Sequence, residues 1–287
     1  MTCPARFRVS LALFLALLMA CAGFAGAEES EPLPLMQFHQ VGLGSANCHL
    51  LIAGQTVILL DGGTDTDAKR PASIMLDYVA ATGIDHIDAH FVTHYHNDHA
   101  QQLDDFSRDY GTESTVVYGP SAQLPDRFLP LPNGTYRQLR IGDEVDVGPF
   151  HILCVAPETV DAGGEINHDS LNLVITYGGI RIMYTGDYVG GHVRKLFPEE
   201  IRDIDILVFP HHGLRPFVIG AQTLRLVNPD LVLVPGNTAA LVRKYFAEND
   251  MKPEVRSPSS GHVVVTSDGV TWELHEFAAL GEFAYAP

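Results

Sequence analysis

Phe91-Val92-Thr93-His94-Tyr95-His96-Asn97-Asp98-His99 places three imidazoles and a carboxylate within six residues, directly after an apolar run. Imidazole nitrogens and carboxylate oxygens are the donors that zinc and related divalent ions take. In an extended turn, residues two apart point to one side, so His94 and His96 can grip one ion. Asp98 and His99 follow as the chain turns into a helix, and they can face a second ion. The alternative is a surface loop that happens to be rich in histidine. Four potential ligands at this density behind a buried strand argue against it.

Working outward, residues 90–93 read as a short buried strand, and the helix from Asn97 carries Leu103 and Phe106 on one face. Upstream, short β-branched or apolar runs at 36–41, 48–53 and 56–60 read as strands punctuated by glycine. Asp61-Gly62-Gly63 ends the third. Residues 68–82 have helical spacing, with Gly83 as the stop. Downstream, 115–118, 144–147, 152–156, 171–176 and 180–185 read as strands, the last two joined by a hairpin turn at Tyr177-Gly178-Gly179. Residues 120–134 form a Pro-rich loop. Strand and helix then alternate: helix 191–197, strand 204–209, helix 221–227, strand 231–235, helix 238–249. A hairpin over 263–266 and 270–275 closes the chain. Two runs of strands, each followed by strand–helix units, predict an α/β (α+β) protein, an αββα four-layer sandwich.

The N-terminus reads as a secretory leader. Arg6 and Arg8 precede the apolar run 9–20, and Ala25-Gly26-Ala27 offers a small-x-small cleavage site. Residues 1–27 are therefore set apart as a signal peptide, 28–35 as an acidic, proline-bearing linker, and 36–287 as one large domain. Leu18-Met19-Ala20-Cys21 loosely resembles a lipid-attachment site, with Met19 the poor fit, so lipidation at Cys21 is the minor alternative. No second long apolar run follows, so a periplasmic or secreted protein without a transmembrane segment is expected. The chain has 18 basic and 35 acidic residues and a formal net charge of −17; loss of Arg6 and Arg8 with the leader lowers it to −19. That charge disfavours a partner such as long nucleic acid, whose phosphates call for a basic footprint. It leaves room for a small-molecule or phosphodiester substrate. Beyond the leader, Cys48 and Cys154 remain; both sit in strand-like runs and read as buried thiols, although an exported protein can form disulfides.

The stretch 93–99 resembles the HxHxDH signature of the metallo-β-lactamase superfamily, and the resemblance extends over nearly the whole chain after the leader. Residues 47–52 and 56–63 look like that family's opening strands, ending in its usual aspartate, Asp61. Thr185-Gly186-Asp187 looks like its bridging carboxylate at a strand end, and Phe209-Pro210-His211-His212-Gly213 like its late histidine-bearing strand. Within the family, Asn167-His168-Asp169-Ser170-Leu171, the Gly178-Gly179 hairpin, residues 184–187, 205–213 and 261–269 resemble the soluble hydrolase domain of ComEC-type competence proteins. Two departures bear on substrate: Leu214 stands where those domains usually have serine, and Gly42-Leu43-Gly44-Ser45 where they have Gly-Gln-Gly-Asp.

The resemblance implies two divalent metal ions, zinc by default, with manganese or iron able to take the same ligands. His94 and His96 would hold the first, with His168 as its candidate third ligand. Asp98 and His99 would hold the second, completed by His211 or His212, and Asp187 would bridge both. Asp61 would support a ligand from behind. The chemistry implied is attack by a metal-bound hydroxide on a carbonyl carbon or a phosphorus, with Asp98 and Asp187 as the catalytic carboxylates. Phosphodiesters are the leading substrate class. Lactones, thioesters or β-lactams are the enzymatic alternative, and a non-catalytic metal-binding protein of the same fold is the other. Serine-nucleophile and phosphate-loop motifs are absent. Packing or surface roles are expected for His39, His49, His86, His90 and His151. Tyr95, His192 and His262 can line the cleft or pack beneath it.

Overall fold

A computed structural model describes residues 32–63, 74–161, 163–164, 166–258 and 261–277. The leader, Cys21, the first half of the linker and the first six positions of the helix expected from residue 68 lie outside the described residues.

One sheet contains β1 (Met36–Gln40), β2 (His49–Ala53), β3 (Thr56–Leu60), β4 (Ile87–Phe91), β5 (Gly111–Gly119), β6 (Thr135–Gln138), β14 (His262–Ser267) and β15 (Trp272–Phe277). Its order is β15-β14-β1-β2-β3-β4-β5-β6. The other contains β7 (Glu144–Val147), β8 (Phe150–Ala156), β9 (Asn172–Tyr177), β10 (Ile180–Thr185), β11 (Ile206–Val208), β12 (Leu231–Leu233) and β13 (Glu254–Arg256), in the order β13-β12-β11-β10-β9-β8-β7. Each sheet is antiparallel on one side and parallel on the other: β3 to β6 and β10 to β13 pair in parallel. Parallel neighbours need long crossovers. Helices α1 (Ile74–Thr82), α2 (Asn97–Ala100) and α3 (Leu103–Asp109) lie in those of the first sheet, and α4 (Gly191–Leu196), α5 (Ala221–Val227) and α6 (Ala239–Glu248) in those of the second.

The side-chain period of two builds the layers. Ile58 and Leu60, Leu173 and Ile175, Ile182 and Tyr184, and Ile206 and Val208 meet in the core between the sheets. The intervening Val57 and Leu59 face outward to α1. Val174, Met183 and Leu207 face outward to α4, α5 and α6. Strands covered on both faces read as continuous apolar runs, which is why Thr56–Leu60 and Ile180–Thr185 were legible to the residue. The four layers expected from the strand and helix order are those observed. Cys154 lies in the central core and Cys48 in the outer one, so a sheet separates the two free, buried thiols.

Several boundaries differ from expectation. β4 begins at Ile87, ahead of the buried run at 90–93. The helix from Asn97 breaks into α2 and α3, because the Gln102 amide turns aside to donate to the Gly62 carbonyl at 2.9 Å. β6 and β13 escaped the pattern because both are short and half-buried. A 3-10 turn at Asp126–Phe128 interrupts the Pro-rich loop.

Candidate metal centre

The candidate ligands gather at the carboxyl ends of parallel strands, where an open α/β layer leaves its crevice. The first sheet supplies the stretch after β4, and the second supplies Asp187 after β10 and His212 after β11.

Asp61, at the end of β3, organises the centre from behind. Its fully buried carboxylate accepts hydrogen bonds from the Thr93 amide (2.7 Å), the Thr93 hydroxyl (2.9 Å), the Tyr184 hydroxyl (3.0 Å) and His99 Nδ1 (2.8 Å). A buried carboxylate left without partners is destabilising by several kcal/mol, and these four donors offset that. The His99 bond has a second effect: with the proton fixed on Nδ1, the Nε2 lone pair points into the crevice. His94 is oriented in the same sense, its Nδ1 lying 3.3 Å from the Thr93 hydroxyl and 3.4 Å from the Ser170 hydroxyl. Ser170 also accepts from the Asp187 amide at 2.9 Å, so one hydroxyl lies against a candidate ligand from each sheet.

Two groups of potential ligand atoms result, each with all its atoms within 4.8 Å of one another: His94, His96 and Asp187, and Asp98, His99, Asp187 and His212. In the first, His94 Nε2 lies 3.1 Å from His96 Nδ1 and 3.9 Å from Asp187 Oδ2. In the second, Asp187 Oδ1 lies 3.1 Å from His99 Nε2 and 3.4 Å from His212 Nε2, and Asp98 Oδ2 lies 3.1 Å from His212 Nε2. Asp187 thus turns one oxygen to each group. His99 Nε2, His212 Nε2 and Asp187 Oδ1 are buried without a hydrogen-bond partner. They approach one another without lying along a hydrogen bond, as donors directed at a common centre do. Orphaned buried polar atoms are rare, and a divalent ion satisfies this set of imidazoles and carboxylates.

The electrostatics follow from burial and proximity. Burial, reinforced by the neighbouring His99, holds the His94 pKa well below its ordinary value. Burial alone would lower His99, but the Asp61 and Asp187 carboxylates outweigh it and raise the pKa. His212 is raised for the same reason, by contact with Asp187 and Asp98 against its burial. Burial would raise the two carboxylates, yet the imidazoles prevail. Asp98 falls to about 2 through His212 and His99, and Asp187 is held below the carboxylate range by the same two residues.

His211 and His168 are not brought into either group. His211 is half-buried, its ring centroid 6.2 Å from that of His212. His211, His212 and Gly213 have φ of 53°, 51° and 68°, so three successive residues are left-handed and the turn carries His212 inward. Each non-glycine residue there costs roughly 1–2 kcal/mol. His168 is exposed and stands edge-on to Tyr188 with 4.1 Å between ring centroids. Ordinary roles fall to the remaining candidates. Tyr95 is buried under the loop, its hydroxyl 2.8 Å from that of Tyr136. His262 accepts from the Gly42 amide and packs on Tyr78. His192 lies 3.9 Å from Glu158. Beside His212 opens a cleft lined by Gly44, Ser45, Leu214, Gly236, Asn237 and Thr238. Sequence reading did not single out Ser170, Tyr184 or Thr238. Ser170 and Tyr184 fall inside blocks that carried the family resemblance, and Thr238 shows no local signal.

The model of one family, the metallo-β-lactamase superfamily, matches residues 41–236. No curated protein matches in sequence. Among solved structures, the metallo-β-lactamase fold protein YhfI from Bacillus subtilis superposes with a TM-score of 0.58 at 17% identity, covering 81% of this chain and 100% of its own. Unliganded yeast PDE1 superposes at 0.51 and 12% identity, covering 77% and 97%. CmlA, a diiron β-hydroxylase from Streptomyces venezuelae, superposes at 0.50 and 11% identity, covering 84% of this chain and 54% of its own. At these identities the likeness is one of fold.

Proposed function

The chain belongs to the metallo-β-lactamase superfamily, and on that premise we propose that it is an exported hydrolase that depends on two divalent ions, zinc in the first instance, and acts on phosphodiester bonds. The observation that carries the proposal is Asp187, whose two oxygens face two separate ligand groups. Bound ions supply a water that is nucleophilic at neutral pH and neutralise charge on the substrate oxygens. The protein's own residues set the geometry. Asp187 fixes the separation of the two groups, Asp61 and Ser170 orient His99 and His94, and the core beneath excludes water from the back of the site. Asp98, half-buried with its carboxylate 3.1 Å from His212 Nε2, would relay a proton to the leaving oxygen.

The phosphodiester class is supported by the ComEC-type resemblance of residues 167–171, 184–187 and 205–213. Export is supported by the leader-like residues 1–27. No helix of the described residues is long and apolar enough to cross a membrane. A second reading has its own support: the lining of the cleft beside His212 carries no basic side chain, and Leu214 is 43% exposed at its rim. That wall suits a neutral lactone, thioester or β-lactam. The test is hydrolysis of bis-p-nitrophenyl phosphate by the metal-loaded protein. We expect turnover that chelation abolishes and zinc, manganese or iron restores. Turnover of lactones or thioesters without turnover of the diester would replace the phosphodiester reading with the second one.

A further inference from the structure

Thr238 precedes α6, in the position where a threonine ordinarily accepts a hydrogen bond from the first turn of its own helix. Its side chain makes no such bond. The hydroxyl instead donates to the main-chain carbonyl of His212, 26 residues away. That carbonyl belongs to the left-handed run His211-His212-Gly213, the one place among the described residues where three successive residues have positive φ. The run has few other ties. Gly213 and Leu214 amides close it on Pro210 and His211 at 3.2 and 2.8 Å, and the His211 amide reaches Gly186 at 3.3 Å. Among the described residues, only Thr238 donates to the carbonyl of His212. A Cβ on Gly213 would lie 2.3 Å from the Thr238 hydroxyl, so the two elements are in close contact.

We propose that Thr238 is a positioning residue for the Asp98–His99–Asp187–His212 group: by holding the His212 carbonyl it keeps a left-handed backbone that aims Nε2 at the ion. The helix gives up its cap to do so. This rests on the metal reading of the site, and the two can fail separately. Thr238 touches neither the His94–His96 pair nor Asp61, so the effect belongs to one group only.

The experiment is a cobalt(II) titration of the purified full chain, followed by absorption and calorimetry, for wild type, Thr238→Val, Thr238→Ala and Thr238→Ser. Melting temperatures are measured in chelator to register any loss of fold without metal. Support from a partner behind a ligand is typically worth ten- to a hundredfold in metal affinity. We expect Thr238→Val and Thr238→Ala to weaken one of two ions about tenfold or more and leave the other within about threefold, with Thr238→Ser close to wild type. Two ions bound by Thr238→Ala as tightly as by wild type would overturn the proposal. So would equal weakening of both ions, which together with a lowered melting temperature in chelator would mark a merely structural role. A wild type that binds no cobalt would remove the metal reading as well as the proposal.

Discussion

At the scale of single residues, the candidate ligands divide into those that announce themselves and those that do not. His94, His96, Asp98 and His99 are neighbours in sequence, so their density was visible before any fold was known. His211 and His212 are equivalent in sequence. Only the left-handed φ of both residues decides that His212 enters the crevice and His211 does not. His168 stands at the right place in the chain for a ligand, but the 3-10 turn Asn167–Asp169 leaves it exposed against Tyr188. The consequence is testable by pairing variants. His212→Ala removes a donor from the four-residue group and is expected to lose one bound ion per chain and at least about a hundredfold in turnover. His211→Ala is expected to keep both ions and turnover within a few fold. Elemental analysis with diester kinetics reads both; equal damage from the two variants would put the ligand assignment in doubt.

At the scale of elements, what could be read was whatever lay between two covered faces. β3 and β10 are mostly apolar because the core and a helix layer enclose them, whereas β6 and β13, each half-buried, gave no period to detect. The loops that build the site depend on close backbone approach, which residue type alone signals poorly. Gly63 is the sharpest case. Its amide donates to the Asn47 carbonyl at 3.2 Å, and a Cβ there would fall 1.9 Å from the Asp98 main chain. Backbone cannot yield as a flexible side chain can, so Gly63→Ala is expected to push α2 off β3. We expect a loss of at least ~2 kcal/mol in urea unfolding, together with weakened metal binding. A variant that melts like wild type would mean the loop accommodates the methyl group.

At the scale of the whole molecule, the strongly acidic chain buries three neutral histidines outside the two candidate ligand groups. Burial, with His262 nearby, brings the His39 pKa to about 3; burial, with His99 nearby, brings His49 to about 3; burial brings His90 to about 4. Each folded value lies below that of the unfolded chain, near 6.5. Their stabilisation is therefore complete above about pH 6.5 and is lost as the pH falls towards 4 and then 3, because the unfolded chain takes up protons the folded one refuses. Each such histidine contributes a slope of about 1.4 kcal/mol per pH unit in that window, so three give roughly 4. Urea unfolding of the chelated protein should thus weaken steeply as the pH falls from about 6 to 4.5. A flat profile across that range would show that these histidines are not buried in neutral form. The −17 charge adds nothing specific here; it bears on which substrates approach.

Two metal sites joined by Asp187 are tested most directly by the metal content of the purified protein, measured by elemental analysis before chelation and after reloading with zinc or manganese. About two ions per chain are expected for the wild type, and fewer for Asp187→Asn, since that change weakens both sites at once. A protein that carries no ion and regains none on reloading would contradict the two-site assignment.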